Sequence, residues 1–135
     1  HNVDKLVAQA DAIACCAPLF EERLLLNAAC FRQGKPLVDG AMHELTGQLT
    51  TFVPGKTGCL ACRVPEKPET WKRQFPVFGA VAGTVGSLLA MEIIKLLTGI
   101  GEPLLNRLLS YDLREMRFRI LKIGSRKDCA VCGTE

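Results

Sequence analysis

Aromatic residues are scarce in this 135-residue chain: they make up 6% of it, with a single tryptophan and a single tyrosine. So few rings offer little stacking surface for the bases of a single-stranded nucleic acid. A surplus of one charge is also missing. Seventeen lysines and arginines against fourteen aspartates and glutamates leave a net charge of +3, too even a balance for a surface that neutralises a phosphate backbone. No nucleic-acid partner is expected. Long hydrophobic runs are lacking as well: the longest uncharged, largely apolar stretch, residues 75–91, falls short of the roughly 20 residues a membrane span needs, and it contains Pro76 and three glycines. It runs straight into Glu92 and Lys95 and reads as a buried helix, so no membrane partner is expected either. The opening residues show no charged segment followed by an apolar core and a cleavage site, and the expectation is of a cytoplasmic chain.

Cysteine, by contrast, is abundant. Seven are present, at positions 15, 16, 30, 59, 62, 129 and 132. An odd count without a secretory signal argues against a disulfide framework and for a reducing compartment. With 48% hydrophobic and 23% charged residues, the rest of the composition is that of an ordinary globular domain with a sizeable core. Cys59-Leu60-Ala61-Cys62 and Cys129-Ala130-Val131-Cys132 form two CxxC pairs with 66 residues between them. Two intervening residues let both thiolates of a knuckle turn toward one ion, and two knuckles complete a tetrahedral zinc site with Zn–S distances of about 2.3 Å. Four thiolates leave no open coordination position, so the zinc would be structural, pinning the end of the chain to its middle. A glycine adjoins each pair, Gly58 before one and Gly133 after the other, where a tight knuckle backbone is easiest to make. The competing reading is a redox dithiol of the thioredoxin kind, which opens a helix after a strand and needs only one pair. Two pairs favour zinc. Cys15, Cys16 and Cys30 fall in a predicted strand and helix and read as small core residues.

The periodicity predicts an α/β chain. Residues 3–11 have helical spacing, 12–17 form a short apolar run suited to a buried strand, and a helix opened by Pro18 runs over residues 19–32 to a stop at Gly34. Strands are expected at 36–39 and 48–53, the second bounded by the turn signal Pro54-Gly55. Residues 64–74 are polar and proline-rich, a loop. Residues 77–97 read as a long helix with Gly79, Gly83 and Gly86 along one face. Each internal glycine costs roughly 1 kcal/mol relative to alanine, so their repetition calls for close approach of another backbone. Residues 107–113 and 115–123 read as two strands joined by a tight turn near Arg114, the second half-exposed because Met116, Phe118 and Ile120 alternate with Arg117, Arg119 and Leu121.

Taken together, several stretches resemble the C-terminal half of the ThiF/MoeB/HesA family, bacterial relatives of ubiquitin-activating enzymes. They are ERLLLNAACFRQGKPLVDGAM (22–42), GQLTTFVPGKTGCLAC (47–62), VFGAVAGTVGSLLAMEIIKLLTG (77–99) and CAVCG (129–133) with the strands before it. The resemblance implies a doubly wound, Rossmann-like activating-enzyme fold with a mixed sheet, a homodimer, structural zinc on the two CxxC pairs, and MgATP-dependent adenylation of the C-terminal glycine of a small ubiquitin-like or sulfur-carrier protein ending in Gly-Gly. Adenylation needs cationic groups and magnesium around the phosphates, and the family supplies them with a GxGxxG turn, an arginine, a lysine and an aspartate that lie upstream of the resembling region. No GxGxxG occurs in this chain. The expectation is therefore that residues 1–135 are the C-terminal portion of a longer enzyme, the nucleotide-binding portion being absent, and that they do not adenylate alone; the opening HNVDKL without an initiator methionine agrees.

Residue by residue, the resemblance aligns Arg23 and Asn27 with the family's R-x-x-x-N, near the nucleotide pocket. It sets Pro18 where the magnesium-linked aspartate stands and Leu19 where an asparagine follows it, so no catalytic residue carries over. Residues 63–74 resemble the family's crossover loop but contain no cysteine, which removes acyl-cysteine chemistry from it. Trp71, Lys72 and Arg73 on that loop become candidates for contact with the carrier's tail. Asp39 reads as a turn aspartate more than a strand-end ligand. His43 and Glu44, adjacent and so on opposite faces of a strand, do not read as a pair. Residues 116–120 would suit docking of a small acidic partner. The alternative to a piece of an enzyme is a non-catalytic, zinc-stabilised interaction module derived from the same family.

Overall fold

The computed structural model describes residues 2–133. In chain order its elements are α1 (Val3–Ala8), β1 (Ile13–Cys15), α2 (Phe20–Arg32), β2 (Leu37–His43), β3 (Thr46–Phe52), α3 (Leu60–Arg63), α4 (Gly79–Thr98), β4 (Arg107–Asp112) and β5 (Arg117–Lys122). The five strands form one sheet in sequential order. β1 lies parallel to β2, as it must when a crossing helix joins them. The other pairings are antiparallel, made by the short β2–β3 and β4–β5 hairpins and by the return of the chain after α4. This is a mixed α/β sheet.

Strand alternation divides the core in two. Leu37 and Phe52, paired across β2 and β3, face α1, α2 and α3 and pack with Val7, Cys15, Ala29, Cys30 and Leu60. Val38 and Leu49 point the other way and pack under α4 with Val85, Leu89 and Tyr111. Two glycines let this second layer close. A Cβ on Gly40 would lie 3.0 Å from the Leu89 side chain, and one on Gly47 would run into the Tyr111 ring. Glu92 fastens the helix to the sheet: it is buried, accepts the Thr51 hydroxyl at 2.6 Å and the Leu104 N–H at 2.8 Å, and pairs with Lys95.

Several expectations change. α4 is not a buried helix: Val81, Val85, Leu89 and Glu92 are buried, while Met91, Ile94 and Leu97 are about half exposed. Its length and mean hydropathy of 1.7 would suffice to cross a membrane, and only 22% of that window is buried within the chain. A Cβ on Gly79, Gly83 or Gly86 would meet no atom within 4 Å, so no other backbone among the described residues approaches them, and Gly86 borders an open groove. β5 is exposed along its whole length rather than on one face, because α4 covers β1, β2 and β3 and does not reach it. Cys16 is exposed, since the chain leaves β1 at Cys15. Asp39 lies within β2 and is buried, not in a turn. Strands β2 and β3 extend toward each other beyond their expected limits, and the tight hairpin is closed by Glu44 with a φ of 53°.

Candidate metal centre and adjoining groove

The two CxxC pairs converge. The Sγ atoms of Cys59, Cys62, Cys129 and Cys132 all lie within 4.8 Å of one another; Cys59 and Cys129 are 3.6 Å apart, Cys62 and Cys132 3.2 Å. A tetrahedron with Zn–S bonds of about 2.3 Å has S···S edges of about 3.8 Å, so these separations bracket the spacing that zinc requires. None of the four is in a disulfide. The first pair does open a helix, the single turn α3, as a redox dithiol would. What distinguishes it is that the second pair, 70 residues on, lies against it.

Each knuckle has a local cause. Cys62 N–H donates to the Cys59 carbonyl at 3.1 Å and Gly133 N–H to the Cys129 carbonyl at 2.8 Å, the tight turns that aim two sulfurs at one point. A Cβ on Gly133 would strike the carbonyls of Lys127 and Cys129, and one on Gly58 would lie 2.9 Å from the Ser125 backbone. Gly58 is therefore needed where the two segments cross, and Gly133 where the second knuckle turns back on itself. Arg126 N–H approaches the Cys62 sulfur at 3.4 Å. Burial pushes the Cys59 thiol up, opposed by the adjoining Asn27 side chain. Burial raises Cys129 too, but the N–H groups of Cys132 and Val131 and the neighbouring thiols outweigh it and bring that thiol to about 7. A thiolate is thus at hand near neutral pH, the form that binds metal.

On the inner side of α2 the sequence-predicted pair separates. Arg23 donates to Asp39 at 2.6 Å, in an ion pair whose side chains are 10% and 7% exposed. Burial pushes the Asp39 carboxyl up, and the Arg23 guanidinium opposes it. Arg23 Nε and Asp39 Oδ1 have no partner among the described residues, and both residues border a small cavity of about 120 Å³ together with Thr50 and Arg63. Asn27 borders neither this cavity nor the larger one beside it. It is completely buried and accepts the Leu60 N–H at 2.9 Å, at the first zinc knuckle. Sequence reasoning missed both Asp39 and this role of Asn27, because each contact joins residues far apart in the chain.

The larger cavity is an open groove of about 510 Å³. β1 ends at Cys15 opposite Asp39, so residues 40–43 of β2 run on without a neighbour from β1. The groove follows that stretch, with Gly40, Ala41 and Gly47 on the sheet side and Ala82 and Gly86 on the α4 side. Its small wall residues suit an extended chain. Trp71 and Phe75 of the loop border it, held by edge-on contact of Trp71 with Phe20 (5.6 Å) and stacking of Phe75 on His43 (5.9 Å). Lys67 adds a contact over the Trp71 ring and an ion pair with Glu21 at 3.6 Å. Trp71 is half-buried; Lys72 and Arg73 are exposed and make no ion pair among the described residues, and of the three Trp71 lines the groove. Pro18 and Cys16 stand at its rim with Arg23, and among the described lining residues there is no carboxylate. His43 ends β2 and Glu44 sits in the turn, so the two do not act together.

The family model described as ThiF family matches residues 1–133. The chain is 49% identical over 99% of its length to "Protein HesA, heterocyst" of Trichormus variabilis, covering 50% of that protein. It is 40% identical over 98% of its length to the "SAMP-activating enzyme E1" of Haloferax volcanii, again covering 50%. To the "Sulfur carrier protein adenylyltransferase" of Thermus thermophilus it is 36% identical over its whole length, covering 53%. The chain thus spans about half the length of the curated relatives it matches. In fold it is similar to the crystal structure of E. coli MccB with ATP, with a TM-score of 0.76 at 23% identity, over 99% of this chain and 44% of that one.

Proposed function

Because the chain belongs to the ThiF family, we propose that it is the C-terminal portion of an ATP-dependent adenylyltransferase that activates the C-terminal glycine of a small ubiquitin-like or sulfur-carrier protein. The observation that carries this reading is the groove along residues 40–43, narrowed by no side chain at Gly40, Gly47 and Gly86 and bordered by Trp71 and Phe75. A tail ending in Gly-Gly has no side chains to clear such walls. The absence of a carboxylate among the described lining residues leaves nothing there to repel the tail's own carboxylate. Trp71 contacts the tail, while Lys72 and Arg73 meet acidic residues of the carrier's body.

In the parent enzyme the carrier's terminal carboxylate oxygen attacks the α-phosphorus of ATP, an acyl adenylate forms, and pyrophosphate leaves. ATP and magnesium belong to the portion upstream of these residues, which holds the phosphate-binding groups that this chain lacks. Arg23, at the groove rim, lies on the nucleotide side of it. The loop over residues 63–74 has no cysteine, so the adenylate is not passed to that loop. The four cysteines hold zinc, which adds no chemistry to the reaction and joins the second knuckle to the first. The apolar outer side of α4, with Met91, Ile94 and Leu97, is covered in the assembled cytoplasmic homodimer, since contiguous exposed apolar surface of this kind marks a protein contact.

The second reading is a non-catalytic, zinc-stabilised interaction module, and Pro18 at the groove rim favours it, because proline offers no ligand to magnesium. ATP–pyrophosphate exchange by the full-length protein separates the two. Exchange that depends on a carrier ending in Gly-Gly, and stops when the terminal glycine is removed, is expected of the enzyme. Binding of such carriers with no exchange across a panel of them supports the module.

A further inference from the structure

Asn27 is an unusual residue to find in the middle of a helix, completely shielded from water. Asparagine has only modest helix propensity, and its amide brings two donors and an acceptor that must all be satisfied once buried. One need is met: Oδ1 accepts the N–H of Leu60, the residue directly after Cys59. The Nδ2 donors have no partner among the described residues. A buried polar group left unpaired is costly, so an asparagine here calls for an acceptor that is stronger in the working protein. The bond to Leu60 N–H sets the amide at the start of α3, where Cys59 is the preceding residue and the metal ligand of that knuckle. A neutral thiol is a poor acceptor, whereas a metal-bound thiolate is a good one.

We propose that Asn27 is the outer support of the four-cysteine metal centre, its Oδ1 fixing the backbone of the first knuckle and its Nδ2–H donating to the metal-bound sulfur of Cys59. Four thiolates around one divalent ion leave a net negative charge, and N–H donors to the sulfurs disperse it. Arg126 N–H serves Cys62 in the same way, from the backbone, at 3.4 Å. Groups that orient metal ligands from behind typically change metal affinity 10- to 100-fold when removed. The alternative role, contact with a nucleotide, requires Asn27 to reach a cavity, and it lines neither of those in this chain.

The inference rests on metal occupancy of the four cysteines, and the experiment keeps the two apart. In the full-length protein, Asn27→Asp retains the oxygen that accepts Leu60 N–H and removes the donor to sulfur; Asn27→Leu removes both at similar volume. Zinc affinity is read by chelator competition, and the sulfur-to-metal charge-transfer bands are read with cobalt. We expect Asn27→Asp to weaken zinc binding about 10- to 100-fold and to shift the cobalt bands, with the circular dichroism of the protein unchanged. Asn27→Leu should weaken it further. Affinity within threefold of the parent and an unchanged cobalt spectrum for Asn27→Asp would overturn the proposal, while failure of the parent itself to bind metal would overturn the metal reading. Should the variants not fold, cadmium-113 NMR of the unsubstituted protein decides: scalar coupling from the metal to an Asn27 side-chain amide proton is expected, and its absence in the cadmium-loaded protein contradicts the proposal.

Discussion

The cysteine corner and the groove meet α2 about one turn apart, at Asn27 and at Arg23, and they are built in opposite ways. At the corner, two glycines are forced by close approach of backbone, the knuckle N–H groups are used within the chain, and four ligand atoms converge on a volume the size of one ion. The groove has glycines in its walls, a strand running on beyond its neighbour, and aromatic rings from a segment fixed by ring contacts and by the bond from Glu44 N–H to the Pro76 carbonyl. The corner is complete within this chain, whereas the groove is shaped for something supplied from outside. Substitutions at the corner should therefore act on folding, and substitutions in the groove on binding.

The largest effect is expected at the corner. Cys59→Ser or Cys129→Ser in the full-length protein should abolish metal binding and lower the stability measured by urea unfolding by about 4 kcal/mol or more, the scale of losing a structural metal. A strong chelator should do the same to the unsubstituted protein. Equal stability with and without metal would erase the contrast.

Next in size is the buried pair between the two regions. Arg23→Ala leaves the Asp39 carboxylate without its partner and should cost about 3–5 kcal/mol in the same measurement. Adding Asp39→Asn should recover part of that loss, because the second change removes the stranded charge. Additive losses in the double variant would show that the two side chains stabilise the fold independently.

These two regions also differ in how far they could be read from the residues. CxxC spacing is itself a geometric statement, so the four metal-ligating cysteines are recognisable without a fold. The groove is not, because its lining from β2 and α4, Gly40 and Ala41 with Ala82 and Gly86 among it, comes together from positions some forty residues apart. Periodicity marks α2, α4 and the β4–β5 hairpin well, and it fails where one pattern has two outcomes. An apolar helix reads as buried whether its outer side meets this chain or another molecule, as α4 demonstrates. A buried aspartate such as Asp39 looks like a turn residue until its arginine, sixteen positions earlier, is seen to lie over it. For Asn27 no local signal exists, since its partner at Leu60 is thirty-three residues away.

A smaller effect sharpens the contrast from the groove side. Trp71→Ala should leave unfolding within about 1 kcal/mol of the parent, because the ring is only half-buried, yet weaken carrier binding by about 2 kcal/mol, the cost of losing an aromatic anchor. Isothermal titration with a Gly-Gly-ending carrier measures it. Smallest in energy is the behaviour of the three cysteines outside the metal centre. Burial pushes Cys15 up to about 12 and Cys30 to about 11, so both remain protonated thiols at pH 8 and become thiolates only well above it. Cys16 is exposed. Iodoacetamide at pH 8 should modify Cys16 alone among these three in the folded protein, and mass spectrometry of the peptides reads the result.

Hydrogen–deuterium exchange on the full-length, metal-loaded protein, with and without a Gly-Gly-ending carrier, tests the division of labour most directly. Slower exchange on carrier binding is expected in residues 40–48 and 66–76, with no change in residues 59–62 and 129–132. Protection confined to the cysteine segments, or none in the groove at saturating carrier, would contradict it.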